Sequence, residues 1–95
     1  MPNYQQIYEF LDSIQWNRIA KKELIDIFGK FFNDGTEFKV SLSDLTVEDC
    51  KDIDYSVGVS VEKEKEHYDF EIYYLKMRNR KILITGSEFL EYYEK

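Results

Sequence analysis

Few residues in this chain have the chemistry to act on a substrate. His67 is the only histidine and Cys50 the only thiol. Nucleophilic catalysis needs a nucleophile within reach of a base that a third group orients. His67 stands in a charged stretch between Glu66 and Tyr68, and it reads as a solvated turn residue rather than a partner for Cys50. Glu48, Asp49, Asp52 and Asp54 crowd four carboxylates into seven residues. They lack the alternating Asp/Asn ligands, central glycine and terminal glutamate of a calcium loop, so they read as a solvated acidic turn. Gly29, Gly35, Gly58 and Gly86 are isolated and form no phosphate-cradling loop. No catalytic, cofactor or metal site is therefore expected, and no enzymatic activity.

Charge points instead to binding. The 95 residues carry 19 acids against 13 bases, a net charge of −6. Residues 43–71 alone hold ten acids and three lysines, so the excess is concentrated there. Asp44, Glu48, Asp49, Asp52, Asp54, Asp69 and Glu71 form the expected contact set for a protein partner with a basic surface, because complementary charge speeds encounter. Lys76, Arg78, Arg80 and Lys81, with Tyr73 and Tyr74 close by, are the one foothold for a nucleic-acid single strand. Overall acidity and the acidic neighbouring hairpin oppose phosphate binding. Nucleic acid is thus the alternative partner, not the expected one.

The elements that position these residues follow from periodicity. Tyr55, Val57, Val59 and Val61 alternate with Asp54, Ser56, Gly58, Ser60 and Glu62, and Tyr68, Phe70, Ile72 and Tyr74 resume the same parity. A period of two marks strands with one buried face. With Glu64-Lys65 at the tip, Val61 meets Tyr68, Val59 meets Phe70, Val57 meets Ile72 and Tyr55 meets Tyr74, so the register is well specified; the tip lacks Asn-Gly or Asp-Gly, and a longer loop of the same parity fits equally. Upstream, Tyr4, Ile7, Tyr8, Leu11 and Ile14 keep helical spacing behind an Asn3 cap. A break at Gln15-Trp16-Asn17 leads into a second helix carrying Ile19, Ala20, Leu24, Ile27, Phe28 and Phe31, closed by Asn33-Asp34-Gly35.

Phe38, Val40 and Leu42 read as a strand before the hairpin. Arg78-Asn79-Arg80 turns into Ile82-Leu83-Ile84, and Ser87 caps a last short helix with Phe89, Leu90 and Tyr93. The expected fold is α+β: a four-stranded antiparallel sheet, one strand plus a three-stranded meander. Two N-terminal helices lie on one face and a short C-terminal helix ends the chain. Its outer face carries a strip of small residues, Ser56, Gly58 and Ser60. Beside it stands an apolar patch of Tyr73, Leu75, Met77 and Leu83, and Tyr92 on the terminal helix is the further residue expected to be shared with a partner or a second copy.

The chain length bounds this to one domain, residues 1–95, burying somewhat over ~60% of its unfolded surface. A lone cysteine fits a reducing cytosol. Met-Pro-Asn-Tyr-Gln-Gln has no basic and apolar leader pattern, and no apolar run nears the ~20 residues of a membrane span. A cytoplasmic protein is expected, in the host cytoplasm if the source is viral.

Phe, Tyr, Met, Ile, Asn and Lys number forty, while Ala, Gly and Pro number six. That bias marks an AT-rich gene, as in many phages, archaeal viruses and low-GC bacteria. Compact acidic proteins from such sources are often inhibitors of nucleic-acid enzymes, including anti-defence and immunity proteins. The expected function is a non-catalytic, stoichiometric inhibitor of a basic nucleic-acid-handling protein. The alternatives are a homodimeric interaction protein and a single-strand binder.

Overall fold

The computed structural model describes residues 2–45 and 55–95. Helix α1 (Tyr4–Ile14) starts where the sequence places it: Asn3 Oδ1 accepts from the Gln6 amide at 2.8 Å, and Gln6 Oε1 accepts from the Asn3 amide at 2.9 Å. This reciprocal box satisfies two amides that the first helical turn leaves unpaired. Strand β1 (Arg18–Ala20) follows, then α2 (Glu23–Phe32), β2 (Phe38–Leu45), β3 (Tyr55–Lys63), β4 (Glu66–Lys76) and β5 (Lys81–Glu94). All pairings are antiparallel, in the order β1-β5-β4-β3-β2. No helix among the described residues is long and apolar enough to cross a membrane.

Both helices pack on one sheet face. Ile7, Leu11 and Ile14 of α1 and Leu24, Phe28 and Phe32 of α2 meet Val57, Val59, Val61, Tyr68, Phe70, Ile72, Ile82 and Ile84. Phe28 lies 5.1 Å from the Phe70 ring centroid and Phe32 4.8 Å from that of Tyr68. Burying each such side chain contributes about 1.5–3 kcal/mol. Lys63 shares this inner face at the hairpin end, where its ammonium donates to Asp34 Oδ2 at 2.7 Å. Gly35 closes the α2–β2 connection at φ 90°, a left-handed conformation that glycine adopts freely.

The hairpin of β3 and β4 has the register its alternation requires: Val61 faces Tyr68, Val59 faces Phe70, Val57 faces Ile72 and Tyr55 faces Tyr74. Elsewhere the structure corrects the expectation twice. The sheet has five strands rather than four, because residues 18–20 pair with the start of β5 and α2 begins only at Glu23. Trp16 at φ 69° turns the chain out of α1, and its amide donates to the Ile84 carbonyl at 2.7 Å.

The expected C-terminal helix is instead the second half of β5. Two bulges, at Thr85 and Leu90, each insert one residue opposite β4. Ile82, Ile84, Ser87, Phe89, Tyr92 and Glu94 consequently hold inner-face positions, with three-residue steps wherever a bulge intervenes. A bulged strand imitates helical spacing for this reason. Stacking of Phe70 on Phe89, with ring centroids 5.0 Å apart, and contact of Tyr68 with Tyr92 at 4.9 Å hold the segment as strand.

Candidate functional site

No described helix or strand packs on the other face of the sheet, and the two registers arrange it in rows. From the hairpin tip downward, across β3, β4 and β5, these are Glu62, His67, Tyr93; Ser60, Asp69, Glu91; Gly58, Glu71, Glu88; and Ser56, Tyr73, Gly86. Leu75 and Leu83 then face one another, with Arg18 of β1 opposite Leu83.

The first row is internally locked. His67 is only 8% exposed, because Tyr93 stacks on it with centroids 4.7 Å apart. Its Nδ1 meets Glu62 Oε1, and its Nε2 lies 2.7 Å from Asp69 Oδ1. The Lys95 ammonium closes on the other Glu62 oxygen. Bonding from Lys95, aided by His67 and opposed by burial, keeps the Glu62 carboxyl below its ordinary range. The expectation of a solvated His67 is thereby overturned: β5 runs to the hairpin end and brings Tyr93 over the ring. Ser60 Oγ donates to Asp69 Oδ1 at 2.7 Å, not to His67. The trio therefore lacks the nucleophile-to-base contact of acyl transfer.

The third row is different. Glu71 stands directly opposite Glu88, and one row above it Asp69 stands opposite Glu91. Like charges so placed destabilise a sheet. None of the ion pairs between described residues involves Glu71, Glu88 or Glu91. The Tyr73 hydroxyl lies between Glu71 and Glu88: it donates to Glu71 Oε2 at 3.1 Å and is within bonding reach of Glu88. Burial first, then this bond and the charges of Glu71 and Glu88, push the Tyr73 phenol up to about 12. Its ring covers Gly86, where an added Cβ would come within 3.6 Å of it.

The residues singled out from sequence separate accordingly. Asp69, Glu71, Tyr73, Leu75 and Leu83 share the uncovered face, with Leu75 40% exposed. Met77 leaves the strand and starts the turn, its amide donating to the Lys81 carbonyl at 2.8 Å. Tyr92 is corrected to an inner-face position on β5, packed against the core, where its hydroxyl donates to Glu66 Oε2 at 3.1 Å. Asp44 of β2 pairs with Val57 of β3. Glu48, Asp49, Asp52 and Asp54 lie outside the described residues, as does Cys50. Glu88 and Glu91 were missed because the sequence signal there reads as a helix, and only the bulged register sets them opposite Glu71 and Asp69.

Among the described residues no group of three or more His, Cys, Asp and Glu side chains is placed to hold a metal ion. Comparison with known proteins returned no match among family models, curated proteins or solved structures.

Proposed function

We propose that this protein is a non-catalytic, stoichiometric binding module whose acidic sheet face engages a basic surface on another protein. The opposed pair Glu71–Glu88 on an uncovered face, with Glu91 one row above, carries this reading. The Glu71–Glu88 pair raises the energy of the free protein, whereas Asp69 is already held by His67 and Ser60, and a lysine or arginine brought between Glu71 and Glu88 converts the repulsion into attraction. Tyr73, Leu75 and Leu83 adjoin the acids and supply apolar contact beside them. The partner class favoured is a nucleic-acid-handling protein, whose phosphate-binding surface carries the required positive charge. Occupying that surface makes the module an inhibitor.

A second copy of the chain suits this face less well. Antiparallel self-pairing along the free edge of β5 sets Glu88, Glu91 and Glu94 against their own counterparts in many registers.

The test is affinity capture from the native source at low and high salt, with wild type beside a Glu71→Gln/Glu88→Gln double variant. The expected result is a basic partner, released by salt, whose nucleic-acid binding is abolished at one-to-one saturation. The double variant should bind it about tenfold more weakly, the equivalent of ~1.4 kcal/mol. Capture undiminished by the double substitution, or a partner that keeps its nucleic-acid binding when saturated, removes the reading.

A further inference from the structure

At the other end of the sheet, the corner where β1 meets β5 has the opposite charge. Residues 16–22 and 76–83 contain seven lysines and arginines and no acid, and the pairing of β1 with β5 joins the two segments. Ala20 faces Lys81, and Arg18 faces Leu83. Arg18, Lys22, Arg78, Arg80 and Lys81 are exposed, and none enters an ion pair with a described residue.

Aromatic rings stand among these cations. Trp16, the only tryptophan, is 63% exposed although its backbone is pinned to Ile84 on both sides: its amide donates to the Ile84 carbonyl, and the Ile84 amide donates to the Asn17 carbonyl at 3.1 Å. Tyr55 is half-exposed, stacked on Tyr74 at 5.7 Å, with the Lys76 ammonium 4.3 Å from its ring centroid.

Among the described residues, the three non-glycine positions with positive φ all lie here: Trp16 at 69°, Asn79 at 62° and Arg80 at 59°. A left-handed tryptophan or arginine is a strained conformation, and such strain concentrates where side chains are held for a ligand. The acidic rows are distant: Glu71 is five residues along β4 from Lys76, roughly 17 Å.

We propose that this basic end is a binding site for single-stranded nucleic acid, with Arg18, Arg78, Arg80 and Lys81 on the phosphates and Trp16 as a stacking platform for a base. A single strand fits better than a duplex because its bases offer free faces to a protruding ring. The row of Glu71 does not oppose this locally, since its distance exceeds the screening length of about 10 Å at 0.1 M salt. The site uses none of the residues assigned to the protein-binding face, so either can fail without the other.

Trp16 reports on its own site. Its emission is followed while a ~12-nucleotide oligothymidylate is titrated in, at about 50 and about 200 mM salt. The expected result is quenching, with a log–log salt slope of about −2 to −3 for three or four phosphate contacts. An Arg78→Gln/Arg80→Asn double variant keeps a residue that accepts the left-handed backbone; its far-ultraviolet dichroism should match wild type. Its affinity should fall at least tenfold, and its slope should shrink by about 1.4. No quenching by the oligonucleotide at low salt overturns the proposal, and so does equal binding by the folded double variant. A response to phosphatidylserine vesicles without one to the oligonucleotide also overturns it, assigning this end to a membrane surface.

Discussion

Replacing Glu88 by lysine should stabilise the free protein while weakening its proposed complex. Glu88 and Glu71 are directly opposed on β5 and β4, so their Cβ atoms are about 5 Å apart. With the carboxylates at ~6 Å in water, Coulomb repulsion is about 0.7 kcal/mol, and screening at 0.1 M salt roughly halves it. Glu88→Lys removes that repulsion and adds a cross-strand ion pair that contributes about 0.2–1 kcal/mol. The net gain is about 1 kcal/mol at low salt. A domain of this size should then melt roughly 4–8 °C higher, and its urea midpoint should rise by about 0.5–1 M.

The assay is urea unfolding at low salt and at about 1 M salt, where the screening length falls to ~3 Å. Glu37→Lys serves as the control, since Glu37 is exposed in the loop before β2 and changes the net charge equally. The Glu88→Lys gain should exceed that of the control at low salt and largely vanish at high salt. A gain no larger than the control's would show that the two carboxylates do not repel each other, and one that persists at high salt would show that packing, not charge, is responsible.

Three further outcomes follow from the same geometry. Asp34 is held well below its ordinary 3.8 by Lys63 first and Thr36 next, and Glu62 below 4.5 by Lys95 first. Depressed carboxyls stabilise the fold above their unfolded values, so stability should fall as pH drops below about 4.5. Burial raises Tyr68, Tyr73 and Tyr92 above 10.0, the last two to about 12. That contribution is complete below pH 10 and is lost as pH rises through about 12. Urea midpoints should therefore form a plateau between these limits, and a midpoint that climbs above pH 10 would contradict the tyrosine assignments.

Ser56 is 5% exposed with an unpartnered Oγ. Ser56→Ala should raise stability by about 1 kcal/mol in a calorimetric scan, whereas a loss would reveal a partner for the hydroxyl. Arg80→Gly relieves about 1–2 kcal/mol of left-handed strain and adds about 0.4–1 kcal/mol of unfolded-chain entropy. A net gain of about 0.5 kcal/mol should accompany weaker oligonucleotide binding, and movement of both in the same direction would separate strain from ligand.

The hairpin was legible because its two faces differ in kind. A one-residue slip between Val57, Val59, Val61 and Tyr68, Phe70, Ile72 would expose every apolar side chain, so pattern alone decided the register. The α1 cap was legible because Asn3 and Gln6 satisfy each other locally. His67 was not: its burial depends on Tyr93, 26 residues away in the chain, arriving by strand pairing. Nor was β1, since three residues have too little period to read and become a strand only by docking on β5.

Local sequence determined α1, the body of α2, the inner face of β3 and β4 and the concentration of acid, because these follow from periodicity and composition that need no distant contact. The bulges of β5 required the whole sheet. An extra residue leaves a strand's alternation looking helical, and only ring pairing of Phe89 and Tyr92 with β4 selects the strand. That same pairing sets Glu71 opposite Glu88, and β1 docking joins Arg18 to Lys81. The acidic face and the basic end are therefore products of tertiary register, since charges remote in sequence become a surface only when the backbone hydrogen bonds align them.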